Sequence, residues 1–509
     1  MKTVYLVYPE KIGTIAPELY GHFAEHIGGV MRDGLWVGRD SAIPHIRGFR
    51  KELVEKLSRL APPVIRWPGG CFAETYDWRD GIGSDRPLRA GWWTSYDGRV
   101  ETNEVGTHEF IDFCNLVGSK PYFAVNVTSV TPLEMRRWVE YCTAPCGSTT
   151  LALERAKNGS PEPFDVAYWG IGNENWGGGG NMTPEAYALE YRRFSTVLDN
   201  LLRKRNGERT GELICGGANA ADYAWTQTLA SQVVSSYAPV DGMSFHYYCR
   251  SEGDAVNFTA ESWYKLISEA ERMEELLCRH YAIVQGCGAE QSMQLVVDEW
   301  GCWHNEGSDP SGGKNLFEQQ STMRDAVVSA LTLNIFNNHC DKVKMANVAQ
   351  LCNNLHSLFL TEGGHCIATP NYYVFEMFRH HQGAQAIRTI IEDNSDPATR
   401  LSASASVRDG WLTLTLANCS YEAAVTVEPV LFGAAWDGEA EAYLLAGEHA
   451  NSHNTFDRPE NVVIRRAPAE DMHRLVLPPA AVLLVRAPLQ TPKSTDAATA
   501  HPTAPGTPG

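Results

Sequence analysis

The sequence contains no apolar run approaching the roughly 20 residues a helix needs to cross a bilayer. Its opening residues, Met1-Lys2-Thr3-Val4-Tyr5-Leu6-Val7-Tyr8-Pro9-Glu10, are interrupted too early to form the apolar segment of a secretion signal. Both features point to a cytoplasmic protein with no membrane partner. Positive charge is also scarce: 43 Lys and Arg stand against 61 Asp and Glu, a formal net charge of −18 over 509 residues. Nucleic-acid affinity depends on cations that neutralise phosphates, so no nucleic-acid partner is expected and a neutral or cationic ligand fits better. Metal-binding pairs are incomplete. Cys142 and Cys146, like His22 and His26, are spaced for a shared ligand, but no second pair completes a tetrahedral set, so neither metal nor other cofactor is expected. Gly170-x-Gly172 lacks the third glycine of a dinucleotide fingerprint, Asn175 standing in its place.

What is present describes a large globular chain, 43% hydrophobic and 10% aromatic, with enough material for a barrel and an appended domain. The thirteen cysteines are odd in number and often sit in apolar runs such as Leu213-Ile214-Cys215-Gly216-Gly217, as reduced core thiols do. From about residue 60 to 385, short apolar runs alternate with longer helical patterns. The runs are 64–67, 122–128, 167–172, 213–217, 242–248, 295–300 and 343–351, and the run 19–24 makes eight. Each is mostly apolar, as parallel strands covered on both faces must be. The clearest helix spans 184–205, with Thr183 as N-cap, Pro184 in the first turn and Lys204, Arg205 and Gly207 closing it.

Eight such units predict an α/β fold, a (β/α)8 TIM barrel over residues 16–384, with the chemistry at the C-terminal strand ends. Over 385–488 the pattern becomes alternating, as in 411–417 and 462–464, and predicts an additional C-terminal all-β sandwich, jelly-roll-like in form, that residues 1–15 join. Residues 489–509, rich in Pro, Thr, Ala and Gly, are expected to be a disordered tail.

Two strand ends carry carboxylates. Tyr168-Trp169-Gly170-Ile171-Gly172-Asn173-Glu174-Asn175-Trp176 places Glu174 at the barrel mouth. Leu295-Val296-Val297-Asp298-Glu299-Trp300 ends in adjacent acids. Strand alternation sets Leu295, Val297 and Glu299 on one side, so Glu299 is expected to face the pocket and Asp298 to bond nearby backbone or a helix terminus. Two facing carboxylates are what glycoside hydrolysis requires, one protonated to assist the leaving oxygen and one ionised to attack. Asn173 beside Glu174, and Glu25 and Gln350 at other strand ends, can bond sugar hydroxyls. Among many tryptophans, Trp176 and Trp303 follow the candidate acids and are the ones expected to offer faces to sugar C–H groups.

Gly21-His22-Phe23-Ala24-Glu25-His26, Arg66-Trp67-Pro68-Gly69-Gly70-Cys71-Phe72, Gly172-Asn173-Glu174-Asn175-Trp176 and Asp298-Glu299-Trp300 together resemble glycoside hydrolase family 51, mostly α-L-arabinofuranosidases, in the family's order and over all but the tail. The resemblance implies a retaining enzyme, commonly a homohexamer, with Glu174 as acid/base and Glu299 as nucleophile. It also implies that Glu25, Cys71, Asn173, Tyr248 and Gln350 line the sugar subsite, with His246 supporting the acid/base and Arg66 near the nucleophile. Position 71 is Asn in many members, and a thiol bonds a hydroxyl more weakly than an amide does. The expected activity is exo-acting hydrolysis of terminal α-L-arabinofuranosyl residues from oligosaccharides. A β-D-galactofuranosidase, an endo-glucanase of the same family and a non-catalytic sugar-binding protein are the alternatives.

Overall fold

The computed structural model describes residues 1–490 apart from 205, 306, 469–471 and 473. Eight parallel strands close into a barrel: β1 (Gly21–Phe23), β2 (Val64–Trp67), β3 (Lys120–Val125), β4 (Tyr168–Ile171), β5 (Glu212–Asn219), β6 (Gly242–Asp254), β7 (Gln294–Asn305) and β8 (Val343–Ala349), with β8 pairing back to β1. The apolar runs are buried on both faces. Val64, Tyr122, Tyr168, Ile214, Val296 and Met345 meet inside the barrel. Ile65, Phe123, Trp169, Leu213 and Val297 join the layer beneath the helices. Gly170 makes one interior contact possible: a Cβ there would stand 2.7 Å from the Tyr122 hydroxyl, which donates at 2.9 Å to Asp298.

The helix α1 (Pro184–Asp199) starts as its sequence predicts, the Thr183 hydroxyl accepting from the Ala186 N–H at 3.3 Å. It ends earlier than the expected residue 205. The Asp199 carboxylate accepts from Arg203 at 2.8 Å and Arg209 at 2.6 Å, and the chain turns back so that Arg203 bridges Arg209. Arg205 lies outside the described residues. Every residue of α2 (Met323–Asn338) through Asn337 is buried, because this helix lies between the barrel and the second domain.

That second domain is a ten-stranded sheet. The N-terminal strand Lys2–Thr14 lies within it, antiparallel to Gln385–Ile391 and parallel to Val425–Phe432. The sheet curls over itself: Val427 and Leu477 from one end share an apolar cluster with Leu414, Leu416 and Val485 from the other.

Two expectations are corrected here. Residues 462–464 form no strand. Val462 packs against the barrel core, and the Asn454 side chain takes the place of a sheet partner, accepting from the Val462 N–H at 2.7 Å and donating to its carbonyl at 3.0 Å. The last strand, Ala481–Gln490, runs past the expected start of the tail. Leu489 is buried in the sheet core, and its N–H donates to the Gly410 carbonyl at 2.8 Å. Residues 491–509 of the expected tail lie outside the described residues. Among the described residues, no helix is long and apolar enough to cross a membrane.

Candidate active site

Glu299 is buried midway along β7, and its carboxylate is held from two sides. Arg66 from β2 donates to Oε1 at 2.9 Å and the Tyr248 hydroxyl from β6 donates to Oε2 at 2.8 Å. Burial opposes its ionisation, but the charges of His246 and Arg66 and these two hydrogen bonds outweigh burial and hold the carboxyl below its usual value. Glu174 follows β4 in a loop and carries a positive φ of 43°. Its Oε1 lies 3.0 Å from His246 Nδ1, and the Cys71 thiol lies 3.9 Å from its Oε2. His246 is also 3.6 Å from Glu299. Burial disfavours a charged imidazole, yet the adjacent Glu299 and Glu174 raise its pKa above the ordinary value. One oxygen of Glu174, one of Glu299 and a ring nitrogen of His246 all lie within 4.8 Å of one another.

The neighbouring polar groups converge on the same space. Arg66 donates to Asn173 Oδ1 at 2.6 Å, which turns the Asn173 amide nitrogen toward the pocket. Glu25 accepts from the Phe72 N–H at 3.1 Å and the Trp93 indole at 2.9 Å, and the Gln350 amide is 3.4 Å from its other oxygen. Burial and the charge of Glu299 push the Glu25 carboxyl up to about 7. A Cβ on Gly70 would stand 3.1 Å from Glu299 Oε1, 3.3 Å from Glu25 Oε2 and 3.5 Å from Asn173 Nδ2. The missing side chain at residue 70 leaves the room around which these three groups are arranged. Burial pushes the Cys71 thiol well up, reinforced by the acids around it, so it faces this space as a neutral thiol.

Glu25, Cys71, Asn173, Glu174, His246, Tyr248, Glu299 and Gln350 thus share one site, with Arg66 beneath it. Trp303 stands edge-on to Tyr248 with ring centroids 5.4 Å apart. Trp176, two residues beyond Glu174, is half-buried against the apolar core. Asp298 differs from expectation. It points into the barrel, accepting from Tyr122 at 2.9 Å and from Asn347 at 3.2 Å. Val296, rather than Val297, lies in the interior cluster, and a register shift between Val297 and Glu299 brings the next residue around to the pocket as well. Both acids therefore face inward.

A family model described as the α-L-arabinofuranosidase 1 domain matches residues 56–263, and one described as the α-L-arabinofuranosidase C-terminal domain matches residues 298–480. An intracellular exo-α-L-arabinofuranosidase of Bacteroides ovatus is 36% identical over 472 residues, covering 90% of this chain and 89% of that protein. The chain belongs to glycoside hydrolase family 51. A crystal structure of the family 51 arabinofuranosidase from Xanthomonas axonopodis pv. citri superposes with a TM-score of 0.87 at 33% identity, covering 96% of this chain and 100% of that one. An α-L-arabinofuranosidase from Thermotoga maritima, solved as an arabinose complex, gives 0.79 at 27% identity, covering 96% and 99%.

Two groups in this family 51 site escaped sequence reasoning. Trp93 reaches Glu25 from a loop far along the chain, and nothing local distinguishes it from the adjacent Trp92. Glu74 is fully buried beneath the Glu174 loop, and its place after Arg66-Trp67-Pro68-Gly69-Gly70 was the only available signal. Two clusters of the described residues bring three side chains of metal-ligating kind within reach of one another: Glu174, His246 and Glu299 in the pocket, and Cys302, His304 and Asp325 elsewhere. The second is tied into an internal network, His304 lying 2.8 Å from Asp325 and 3.1 Å from Arg324.

Proposed function

We propose that this glycoside hydrolase is a retaining, exo-acting α-L-arabinofuranosidase that removes terminal α-L-arabinofuranosyl residues from oligosaccharides. The observation that carries the reading is the approach of Glu174 and Glu299 oxygens to within 4.8 Å. Direct attack by a carboxylate needs the two carboxyl groups about 5 Å apart, whereas roughly 6.5–9.5 Å is needed to seat a water between them for inversion. Glu299, kept ionised by Arg66 and Tyr248, attacks the anomeric carbon while the bond to the leaving oxygen breaks and Glu174 gives that oxygen its proton. In the second step water attacks the same carbon, Glu174 takes the water's proton, and Glu299 is released as a carboxylate.

Glu25, Asn173 and Gln350 supply the hydroxyl contacts, and Trp303 and Trp93 supply the aromatic walls. Arabinose is the sugar held in the Thermotoga maritima relative, and the Bacteroides ovatus relative is named exo-acting and intracellular. These support exo action here, a cytoplasmic location and short imported substrates. The homohexamer rests on family resemblance. Release of a chromogenic aglycone from its α-L-arabinofuranoside tests the activity. Turnover should be strong on this glycoside, weak on the β-D-galactofuranoside and lost in Glu299→Ala. Preference for the galactofuranoside would contradict the substrate, and full activity in the variant would contradict the nucleophile.

A further inference from the structure

Glu74 is 0% exposed, and no cation pairs with it among the described residues. A buried carboxylate in that position must be satisfied by hydrogen-bond donors. It has four. Oε2 accepts from the N–H groups of Val127 at 2.9 Å and Thr128 at 3.0 Å, in the loop after β3. Oε1 accepts from the Asn173 N–H at 2.7 Å and the Asn175 amide at 3.3 Å. Asn173 and Asn175 flank Glu174, so one carboxylate grips the chain on both sides of the acid/base candidate.

The loop it grips needs holding. Glu174 sits at a φ that non-glycine residues adopt only at some cost. The Asn175 amide also donates to the Gly179 carbonyl at 2.9 Å, and the Thr128 hydroxyl donates to that carbonyl at the same distance, closing the glycine turn that follows. The Asn173 side chain is engaged by Arg66, the same guanidinium that holds Glu299. Displacing Asn173 would therefore disturb the spacing between the two candidate carboxylates, not merely loosen a surface loop.

We propose that Glu74 is a positioning residue for proton transfer: its carboxylate holds the Asn173 backbone on one side of Glu174 and the Asn175 side chain on the other, and so aims the Glu174 carboxyl at the leaving oxygen. The inference rests on the reading of Glu174 as acid/base. A positioned general acid accounts for about 10²–10⁴-fold in rate, and it matters most when the leaving group is poor. Glu74→Gln keeps size but turns an amide NH2 toward N–H donors. It should lose at least about tenfold in kcat/KM on an alkyl arabinofuranoside and change less than about threefold on the dinitrophenyl arabinofuranoside, whose departure needs no proton.

A merely structural defect would lower both substrates together, and the initial burst of dinitrophenol counts the folded sites. Asn175→Ala removes the same tether from the other side and should shift the ratio in the same direction, keeping the inference testable if Glu74→Gln does not fold. Glu174→Ala serves as the reference. If that variant shows the leaving-group dependence and both tether variants lose activity equally on the two substrates, or lose none, Glu74 does not position the acid. If Glu174→Ala itself shows no such dependence, the acid/base reading fails instead.

Discussion

Glu299 is buried, yet the charges of His246 and Arg66 and two hydrogen bonds hold its carboxyl below the usual value, and the two hydrogen bonds can be separated by mutation. Removing the Tyr248 hydroxyl leaves Arg66 in place and takes away one of the contacts that lower the Glu299 pKa. In the proposed mechanism, attack requires the ionised form of Glu299. A raised Glu299 pKa therefore shifts the loss of activity on acidification to higher pH. In Tyr248→Phe the acidic limb of kcat/KM against pH should move up by about one unit, the size expected when a charge-assisted hydrogen bond is lost. An unmoved acidic limb would show that Tyr248 does not tune the nucleophile. The two glutamates were legible because polar groups interrupt apolar strands, while Cys71, His246, Tyr248 and Arg66 were legible through the family resemblance. Side-chain direction was not. Glu299 faces the pocket because of a register shift in β7 rather than through the regular alternation that pointed to it, whereas Asp298 faces inward by alternation from the interior Val296. Glu74 and Trp93 were hidden because their partners lie far away in the sequence, at Asn173 and Glu25.

At the scale of the element, the eight strands could be read because burial on both faces leaves an unbroken apolar run. The strands of the second domain alternate, and there the polar half has an unexpected place. Leu401, Ala403, Ala405, Leu412, Leu414 and Leu416 enter the sheet core. Ser404 and Thr415 face α2, each donating at 2.7 Å to Asn334. His381 is buried in the same interface, with Nδ1 2.8 Å from Ser406 and Nε2 3.0 Å from Thr415. Burial, with His380 beside it, lowers its pKa to about 3. In the unfolded chain the imidazole takes up a proton below about 6.5, while the folded protein resists protonation until about 3. Its contribution to stability is therefore complete above about pH 6.5 and falls away as the pH drops toward 3, at a slope of up to about 1.4 kcal/mol per pH unit. His381→Gln keeps hydrogen-bonding groups and removes the titration. Its unfolding free energy between pH 6.5 and 4 should fall less steeply than that of the wild type, and equal slopes would show that His381 does not link the interface to pH.

For the whole molecule, the barrel and the curled sheet are joined through a helix buried on all sides, and the N-terminal strand is a member of the second domain although it precedes the barrel. The sequence pattern could suggest that strand's destination, but not the polar network that fixes the two bodies together. This frame brings β2, β4, β6 and β7 to one mouth, where Arg66, Glu174, His246 and Glu299 meet with oxygens of the two glutamates within 4.8 Å. That approach underlies the proposed stereochemistry, since direct attack needs carboxyl groups about 5 Å apart and a water-mediated inversion roughly 6.5–9.5 Å. Proton NMR of the first arabinose released from an aryl α-L-arabinofuranoside, recorded before the sugar mutarotates, tests it most directly. The account predicts the α-anomer, retained through two displacements; initial release of the β-anomer would contradict it.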